Sequence, residues 1–169
     1  MSLISNAFEG RSHNRMKLLT EMEKQFDKKN ISFFEDLLSH EDNVIRTRAV
    51  CILAYLAGEK AITPIGLVLK NDKNALVRHE AAFSLGQLGL KNGIGPLIEA
   101  VRSDPSFFVR HEAAVALGVI GSEEAREILV KALNDESEEV RESAVIALVN
   151  LDYLSETSNN NEFAKLTGG

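Results

Sequence analysis

Apolar residues recur along this chain three and four positions apart, the spacing of an amphipathic helix, and the whole pattern returns about every 32 residues. The segment Val-Arg-His-Glu-Ala-Ala occurs twice, at Val77–Ala82 and Val109–Ala114, and each copy opens such a stretch. Gly89 and Gly121 follow the two stretches, at the position where a glycine commonly ends a helix. The pattern therefore predicts repeated helical units of equal length.

An arginine marks four copies of the unit, with spacings of 32, 32 and 31 residues. Four positions before each arginine stands a residue of a type that caps helix N-termini, so a helix is predicted to begin at each of these places. The capping residues are Asp42, Asn74, Ser106 and Ser137, and the arginines are Arg46, Arg78, Arg110 and Arg141. Because the arginines keep the period, we expect each to pair with an acidic residue of the adjacent unit.

Shorter apolar segments alternate with these helices and predict a further helix in each unit. They are Phe33–Leu38, Pro64–Leu69, Pro96–Val101 and Ala125–Leu133. Units of two antiparallel helices, without tetratricopeptide or ankyrin signatures, resemble the HEAT-like class. The prediction is an all-α HEAT-like α-solenoid of about four helix pairs, capped by an N-terminal helix over Arg15–Lys29. Gly86 and Gly118, inside the longer helices, are expected points of close helix packing.

The two ends of the chain lack this pattern. We expect a flexible N-terminus over residues 1–13, a single HEAT-like repeat domain over residues 14–154 and a flexible polar tail over residues 155–169. The tail contains Ser-Asn-Asn-Asn and ends in Gly-Gly, without helical spacing of apolar residues.

Composition narrows the expected partners. The net charge is −6 and no basic block is present, which argues against nucleic acid. No run of 18 apolar residues and no signal peptide are visible, so no membrane partner is expected. Cys51 is the single cysteine, which favours a reducing, cytoplasmic location, and its apolar surroundings predict a small buried residue.

Two His-Glu pairs carry the candidate chemistry: His79 with Glu80, and His111 with Glu112. On a helical wheel they fall away from the buried face, so we expect them outside the core, on the concave surface of the solenoid. Equivalent positions of adjacent repeats lie on the order of 10 Å apart. Two histidines and a carboxylate reaching across this gap form the ligand set of non-heme iron oxygenases. The alternative is a solvated polar face, which is common in such repeats.

Other residues near this pattern receive lesser roles. His40 and Glu41 form a third His-Glu dipeptide, but it lies in a turn and out of register, so no site role is assigned to it. Phe107 and Phe108 replace smaller residues before the third long helix. We expect them to fill the turn between helices, or one of them to edge the site.

These segments resemble one half of deoxyhypusine hydroxylase, a HEAT-repeat family of two similar halves that each carry two His-Glu pairs. The resemblance covers about residues 31–154 and includes a repeat without histidine around Arg46–Ala57. The matching motifs are Leu76-Val-Arg-His-Glu with Ser84-Leu-Gly-Gln-Leu88, then Val109-Arg-His-Glu-Ala113 with Ala116-Leu-Gly-Val-Ile120, then Val140-Arg-Glu-Ser143 with Ala147-Leu148.

The resemblance implies a diiron oxygenase that hydroxylates the deoxyhypusine side chain of a small translation factor. By position, His79, His111 and Glu112 would be iron ligands. Glu80 would be an outer-shell or substrate-facing carboxylate, which suits a cationic substrate. Because the chain matches only one half, this activity would need a homodimer with two concave faces opposed, or the chain is a fragment of a two-half protein.

Two other functions follow from the same sequence. A non-catalytic HEAT-like scaffold would bind a protein segment on its concave face and need no metal. Bilin-lyase-like HEAT proteins share similar Arg-His-Glu-Ala-Ala segments, so a module that binds a tetrapyrrole or its carrier protein is the third reading.

Overall fold

Nine α-helices follow one another along residues 3–157, the part of the backbone that the computed structural model describes; side chains are described from residue 12. Short 3-10 helices at Gly58–Ala61, Lys91–Gly93 and Glu123–Ala125 join the later helix pairs. The α-helices are α1 (Leu3–Asp27), α2 (Ile31–Leu37), α3 (Asn43–Ala57), α4 (Ile62–Asn71), α5 (Ala75–Leu88), α6 (Ile94–Ser103), α7 (Phe107–Ile120), α8 (Arg126–Ala132) and α9 (Glu138–Thr157).

The helices stack as two layers, which confirms the predicted α-solenoid of four helix pairs. The longer helices α3, α5, α7 and α9 pack in succession, and α4, α6 and α8 form the second layer. Leucines at equivalent positions, Leu53, Leu85 and Leu117, are almost fully buried between the layers. The period in the sequence therefore becomes a continuous core, in which each pair buries its apolar face on its neighbours.

Polar residues just before the longer helices hold the turns that lead into them. Asp42 and Asn74 act as predicted, because their side chains accept hydrogen bonds from amides of the first helical turn. Ser106 stands at the predicted cap position, but its side chain makes no capping hydrogen bond. Its own amide donates to Asp104 Oδ1 at 2.9 Å instead. The turn before α7 is thus fixed by a carboxylate two residues upstream.

Three of the four periodic arginines, Arg46, Arg78 and Arg110, pair with an aspartate of the adjacent unit, as predicted. Arg141 instead donates to the main-chain oxygens of Asp135 and Glu136, so the prediction is wrong for the fourth arginine. Arg78 donates through Nε and Nη2 to both oxygens of Asp104, at 2.7 and 2.8 Å. Its Nη1 donates to the main-chain oxygen of Asp72, at 2.9 Å, so one arginine joins two repeats. The same arrangement recurs in the pairs Arg46–Asp72 and Arg110–Asp135. We call these three pairs the arginine–aspartate ladder.

The ladder lowers the pKa of two of its aspartates, Asp72 and Asp135. Burial by itself would raise the pKa of Asp72, but hydrogen bonds from Arg46 and from the amide of Asn74 hold that pKa below its ordinary value. The same causes lower the pKa of Asp135, where Arg110 is the partner. A carboxylate with a lowered pKa contributes stability above its unfolded pKa and loses it as the pH falls through the lower, folded value.

His40 occupies the ladder position in the first repeat, 32 residues before Asp72. Its Nδ1 accepts a hydrogen bond from the amide of Asp42, at 3.0 Å, as the aspartates do in later repeats. Arg46 binds the main-chain oxygen of His40, at 2.8 Å. The histidine therefore has a structural role in the turn, in keeping with its exclusion from the predicted site.

Glycines end α5 and α7 and also allow the same two helices to approach closely. Gly89 and Gly121 adopt left-handed φ values of 64° and 67°, as a C-terminal glycine does. A Cβ on Gly86 would lie 2.8 Å from the Cβ of Ala116, so α5 and α7 touch at this glycine. The predicted role of Gly86 in close packing is thereby confirmed.

The first helix starts earlier than the sequence pattern predicts. α1 begins at Leu3, where the prediction placed a flexible segment through residue 13 and a helix from Arg15. The segment contains no proline, the residue that would break a helix. At the other end α9 runs to Thr157. Most of the predicted tail, residues 158–169, and residues 1–2 lie outside the described part of the chain.

One described segment, Asn43–Asn71, is by composition apolar enough to cross a membrane. It consists of α3 and α4 with a 3-10 helix between them, and both α-helices are shorter than the roughly 20 residues that a membrane span needs. Ile45, Leu53 and Ile65 from this segment are fully buried in the core. The core of a helix pair accounts for its apolar character.

Candidate metal centre

His79 and Glu112 meet across the gap between two adjacent repeats. His79 lies in the first turns of α5 and Glu112 in the first turns of α7. Each comes shortly after the ladder arginine of its own repeat. The distance between His79 Nε2 and Glu112 Oε2 is 3.2 Å. Only 19% of the histidine side chain and 11% of the glutamate side chain are exposed. We call His79, Glu80, His111 and Glu112 together the His-Glu face.

The burial of Glu112 differs from the prediction, which placed both pairs outside the core. A helical wheel treats one helix alone, whereas α5 covers this side of α7 and His79 lies over the carboxylate. The packing of neighbouring repeats therefore removes from solvent a residue that the isolated helix would expose.

Phe108 forms one wall beside His79. Its ring stacks on the imidazole, with centroids 4.0 Å apart and an angle of 10° between the planes. Of the two roles predicted for Phe107 and Phe108, edging the site is therefore the one that Phe108 fills. The stacking fixes the plane of the histidine ring and leaves its edge directed at Glu112.

His111 contacts Ser143 of α9. The distance from His111 Nδ1 to Ser143 Oγ is 2.7 Å, and the same hydroxyl donates to the main-chain oxygen of Glu139 at 2.8 Å. A serine hydroxyl has one hydrogen, so with that hydrogen on Glu139 the imidazole Nδ1 is the donor. His111 then carries its lone pair on Nε2, the tautomer that a metal ligand needs.

Glu80 accepts a hydrogen bond from the thiol of Cys51, with 2.7 Å between Sγ and Oε1. The prediction that Cys51 is a small buried residue is wrong, because the residue keeps an exposed surface on α3. The apolar periodicity of α3 does not distinguish this position from core positions beside it. Partial burial of the thiol, then the bond to Glu80 and its negative charge, raise the pKa of Cys51 to about 12.

The raised pKa of Cys51 predicts a low rate of alkylation of its thiol. At pH 8 the wild-type chain is expected to react slowly with iodoacetamide, because the thiolate is the reacting form and its fraction is small. Replacing Glu80 by glutamine removes the negative charge and is expected to raise the rate up to about tenfold, since one pKa unit is one decade in thiolate fraction. Mass spectrometry of alkylation reports on Cys51 alone, since it is the single cysteine. An unchanged rate in Glu80→Gln, with Glu59→Gln as control, would contradict the assignment.

The predicted site residues are only partly brought together. His79 and Glu112 are joined, whereas His111 and Glu80 face Ser143 and Cys51. Among the described residues, no group of three histidine, cysteine, aspartate or glutamate side chains is arranged to hold a metal ion. The assignment of His79, His111 and Glu112 as metal ligands, and of Glu80 as a catalytic carboxylate, stays a prediction.

Three contacts of the site were missed from sequence: Cys51 with Glu80, Ser143 with His111, and the stacking of Phe108 on His79. Ser143 occupies in the fourth repeat the position of Glu80 and Glu112, so the repeat alignment already carried the signal that it would face the histidine of the preceding repeat. The stacking of Phe108 on His79 has no such signal, because it depends on how α7 crosses α5.

Residues 62–149 match the family described as HEAT repeats, which is more than half of the chain. The chain belongs to the HEAT-repeat family. In its fold it is similar to a solved structure of human deoxyhypusine hydroxylase in complex with glycerol, with a TM-score of 0.68 and 30% sequence identity. The matched region covers 83% of this chain and 49% of the human chain, so this chain spans about half the length of that protein. A comparison with curated protein sequences gave no match.

Proposed function

We propose that this chain binds iron through its His-Glu face and that two copies of the chain complete the site, in a protein related to deoxyhypusine hydroxylase. The observation that carries the proposal is the contact of His79 with Glu112 between adjacent repeats. It joins a nitrogen and an oxygen ligand from two helices whose relative position is fixed by the ladder. The similarity to about half of the human enzyme supports the choice of metal and the need for a second copy.

The side chains fit a metal ion in kind and in spacing. Two ligands that lie roughly 2.1 Å from an ion at right angles are about 3 Å apart, close to the 3.2 Å between His79 Nε2 and Glu112 Oε2. His111 adds a second imidazole, whose Nδ1 is held by Ser143. Within the described part of one chain this set is incomplete. A second chain placed face to face would contribute its own His79, His111 and Glu112.

Each residue of the face then has a defined task. His79, His111 and Glu112 would hold the ion, and the ring of Phe108 would keep His79 in plane. Glu80 would lie beside the ion and receive a cationic substrate group, with Cys51 orienting its carboxylate. Iron in such a site supplies activation of dioxygen for a hydroxylation. A cytoplasmic location, expected from the single cysteine, stays a prediction.

The first test is metal content. Untagged protein from iron-supplemented cells is expected to contain about one iron per chain by plasma mass spectrometry, because a two-histidine, one-carboxylate set favours iron. The double variant His79→Ala, His111→Ala is expected to lose the metal, whereas the control His13→Ala should retain it, since His13 lies on the exposed surface of α1. Protein that is metal-free and takes up no ferrous iron without oxygen would contradict the proposal.

Oligomeric state distinguishes a shared site from a site in one chain. Sedimentation velocity of the iron-loaded protein should give a dimer, and the double variant a smaller dimer fraction. A monomer that retains its iron would contradict the shared site.

A scaffold that binds a protein segment is the second candidate, and one observation favours it. Each residue of the His-Glu face already has a partner within the chain: Cys51 for Glu80, Glu112 for His79 and Ser143 for His111. Such contacts satisfy buried polar groups without any metal. Metal-free wild-type protein, with a double variant that still folds, would support this candidate. The bilin-lyase-like reading rests on sequence resemblance alone.

A further inference from the structure

A groove between α4 and α6, in the helix layer away from the His-Glu face, encloses about 600 Å³. The corresponding groove between α6 and α8, one repeat further along, encloses only about 80 Å³. Small-molecule sites in proteins are typically 300–1,000 Å³. The α4–α6 junction is therefore open where the next junction is filled, and the preceding junction between α2 and α4 is open as well, with about 550 Å³.

The α4–α6 and α6–α8 grooves differ at two glycine positions. Gly66 and Gly95 line the open groove, and the residues 32 positions later in the filled groove are Ile98 and Glu127. A Cβ on Gly95 would meet nothing within 4 Å, so its place in the groove is empty space. A Cβ on Gly66 would lie 3.0 Å from Cγ of Pro96. Gly95 thus leaves space in the groove, whereas Gly66 is the point at which Pro96 of α6 packs closely against α4.

The walls of the groove are largely apolar. Leu67 and Pro96 face one another from the two helices, with Leu69 and Ala100 deeper. Leu67 is 57% exposed although it lies in a helix with a well-buried apolar face. An apolar body in the groove would remove this surface from water, at about 25 cal/mol for each Å² buried.

The charges around the groove leave one cation without a partner. Asp72 and Asp104 belong to the arginine–aspartate ladder, as does Arg78, and Glu99 is paired with Arg102. Lys70, at the rim, forms no ion pair with any side chain of residues 12–157. The charge that would complete this rim is therefore negative.

We propose that the α4–α6 groove binds a small anionic amphiphile, with its apolar body between Leu67 and Gly95 and its acidic head against Lys70. The required ligand is a soluble carboxylate or sulfonate of ring-system size. This site is separate from the His-Glu face, because most of its lining comes from α4 and α6, and α5 contributes only Arg78.

A pair of matched probes tests both parts of the proposal. 1-Anilinonaphthalene-8-sulfonate carries the charge, and N-phenyl-1-naphthylamine has the same ring system without it. We expect saturable binding of both probes to the folded full chain by fluorescence titration. Lys70→Ala should weaken the sulfonate about tenfold, as expected for loss of one charge-assisted contact, and change the neutral probe less than twofold. Equal effects on both probes, or no saturable binding, would overturn the proposal.

A second experiment fills the α4–α6 groove with a side chain. Gly95→Leu places a side chain in empty space without backbone contact, so the variant should keep its melting temperature and lose binding of both probes. Glu127→Leu places the same residue at the equivalent position of the next groove and should leave binding intact. In nuclear magnetic resonance spectra of the wild-type chain, the sulfonate should shift the amides of Gly66, Lys70 and Gly95. Shifts confined to other repeats, or undiminished binding in Gly95→Leu, would overturn the site.

Discussion

Replacing Arg78 by alanine is expected to lower the free energy of unfolding by about 3–5 kcal/mol, because the change leaves Asp104 buried without its partner. The carboxylate side chain is only 6% exposed, so water cannot replace the two lost hydrogen bonds. The arginine also binds the main-chain oxygen of Asp72 in the turn before its own helix, so that turn loses a contact as well. Thermal unfolding followed by circular dichroism should show a melting temperature lower by roughly 10 °C.

Two further variants separate the buried pair from charge in general. Arg126→Ala removes an arginine with two exposed acidic partners, Glu123 and Asp152, and should change the melting temperature little. Arg78→Met combined with Asp104→Leu removes both charges and should recover a large part of the loss, since apolar residues can replace a buried ion pair. A double variant no more stable than Arg78→Ala would show that the main-chain hydrogen bonds of the two residues, from Arg78 to Asp72 and from Ser106 to Asp104, and not the ion pair, carry the effect.

Gly86→Val is expected to destabilise the chain by about 1–3 kcal/mol, although valine has the higher helix propensity. The new Cβ would lie 2.8 Å from Cβ and 3.0 Å from Cα of Ala116. Since one of these atoms is main chain in α7, no side-chain rotation relieves the clash, and α5 must move away from α7. Denaturant unfolding should give a lower midpoint.

Gly95→Ala is the matched control for the glycine. It also replaces a helical glycine, but its Cβ meets nothing within 4 Å, so stability should stay constant or rise by about 0.5–1 kcal/mol. Equal behaviour of Gly86→Val and Gly95→Ala would contradict the close approach of α5 and α7. Because the same two helices carry His79 and Glu112, we also expect Gly86→Val to weaken any metal binding by the His-Glu face.

Both predictions concern the junction between repeats, which is also where the candidate site lies. The ladder sets the distance between adjacent repeats, and Gly86 allows the longer helices to approach. The His79–Glu112 contact is a consequence of that distance, since the two residues belong to different repeats and meet only when the repeats pack together. The candidate site is thus formed only by the packing of adjacent repeats.

The sequence by itself determined the repeat, the helix pairs and the ladder arginines. These follow from local physics: apolar periodicity requires a buried face, capping residues satisfy free amides, and glycine permits left-handed φ values at Gly89 and Gly121. The same signals recur in every copy of the repeat, so a misleading residue in one copy is recognised by comparison with the others. The sequence also placed the His-Glu pairs in register on adjacent helices.

Tertiary structure alone decided the state of those side chains. The burial of Glu112, the stacking of Phe108 on His79 and the bond from Cys51 to Glu80 all depend on the distance and crossing of neighbouring helices. A helical wheel contains neither quantity, which is why it placed Glu112 in solvent and Cys51 in the core. The open α4–α6 groove is likewise decided by packing, because a glycine in sequence becomes empty space only where no neighbouring side chain fills it.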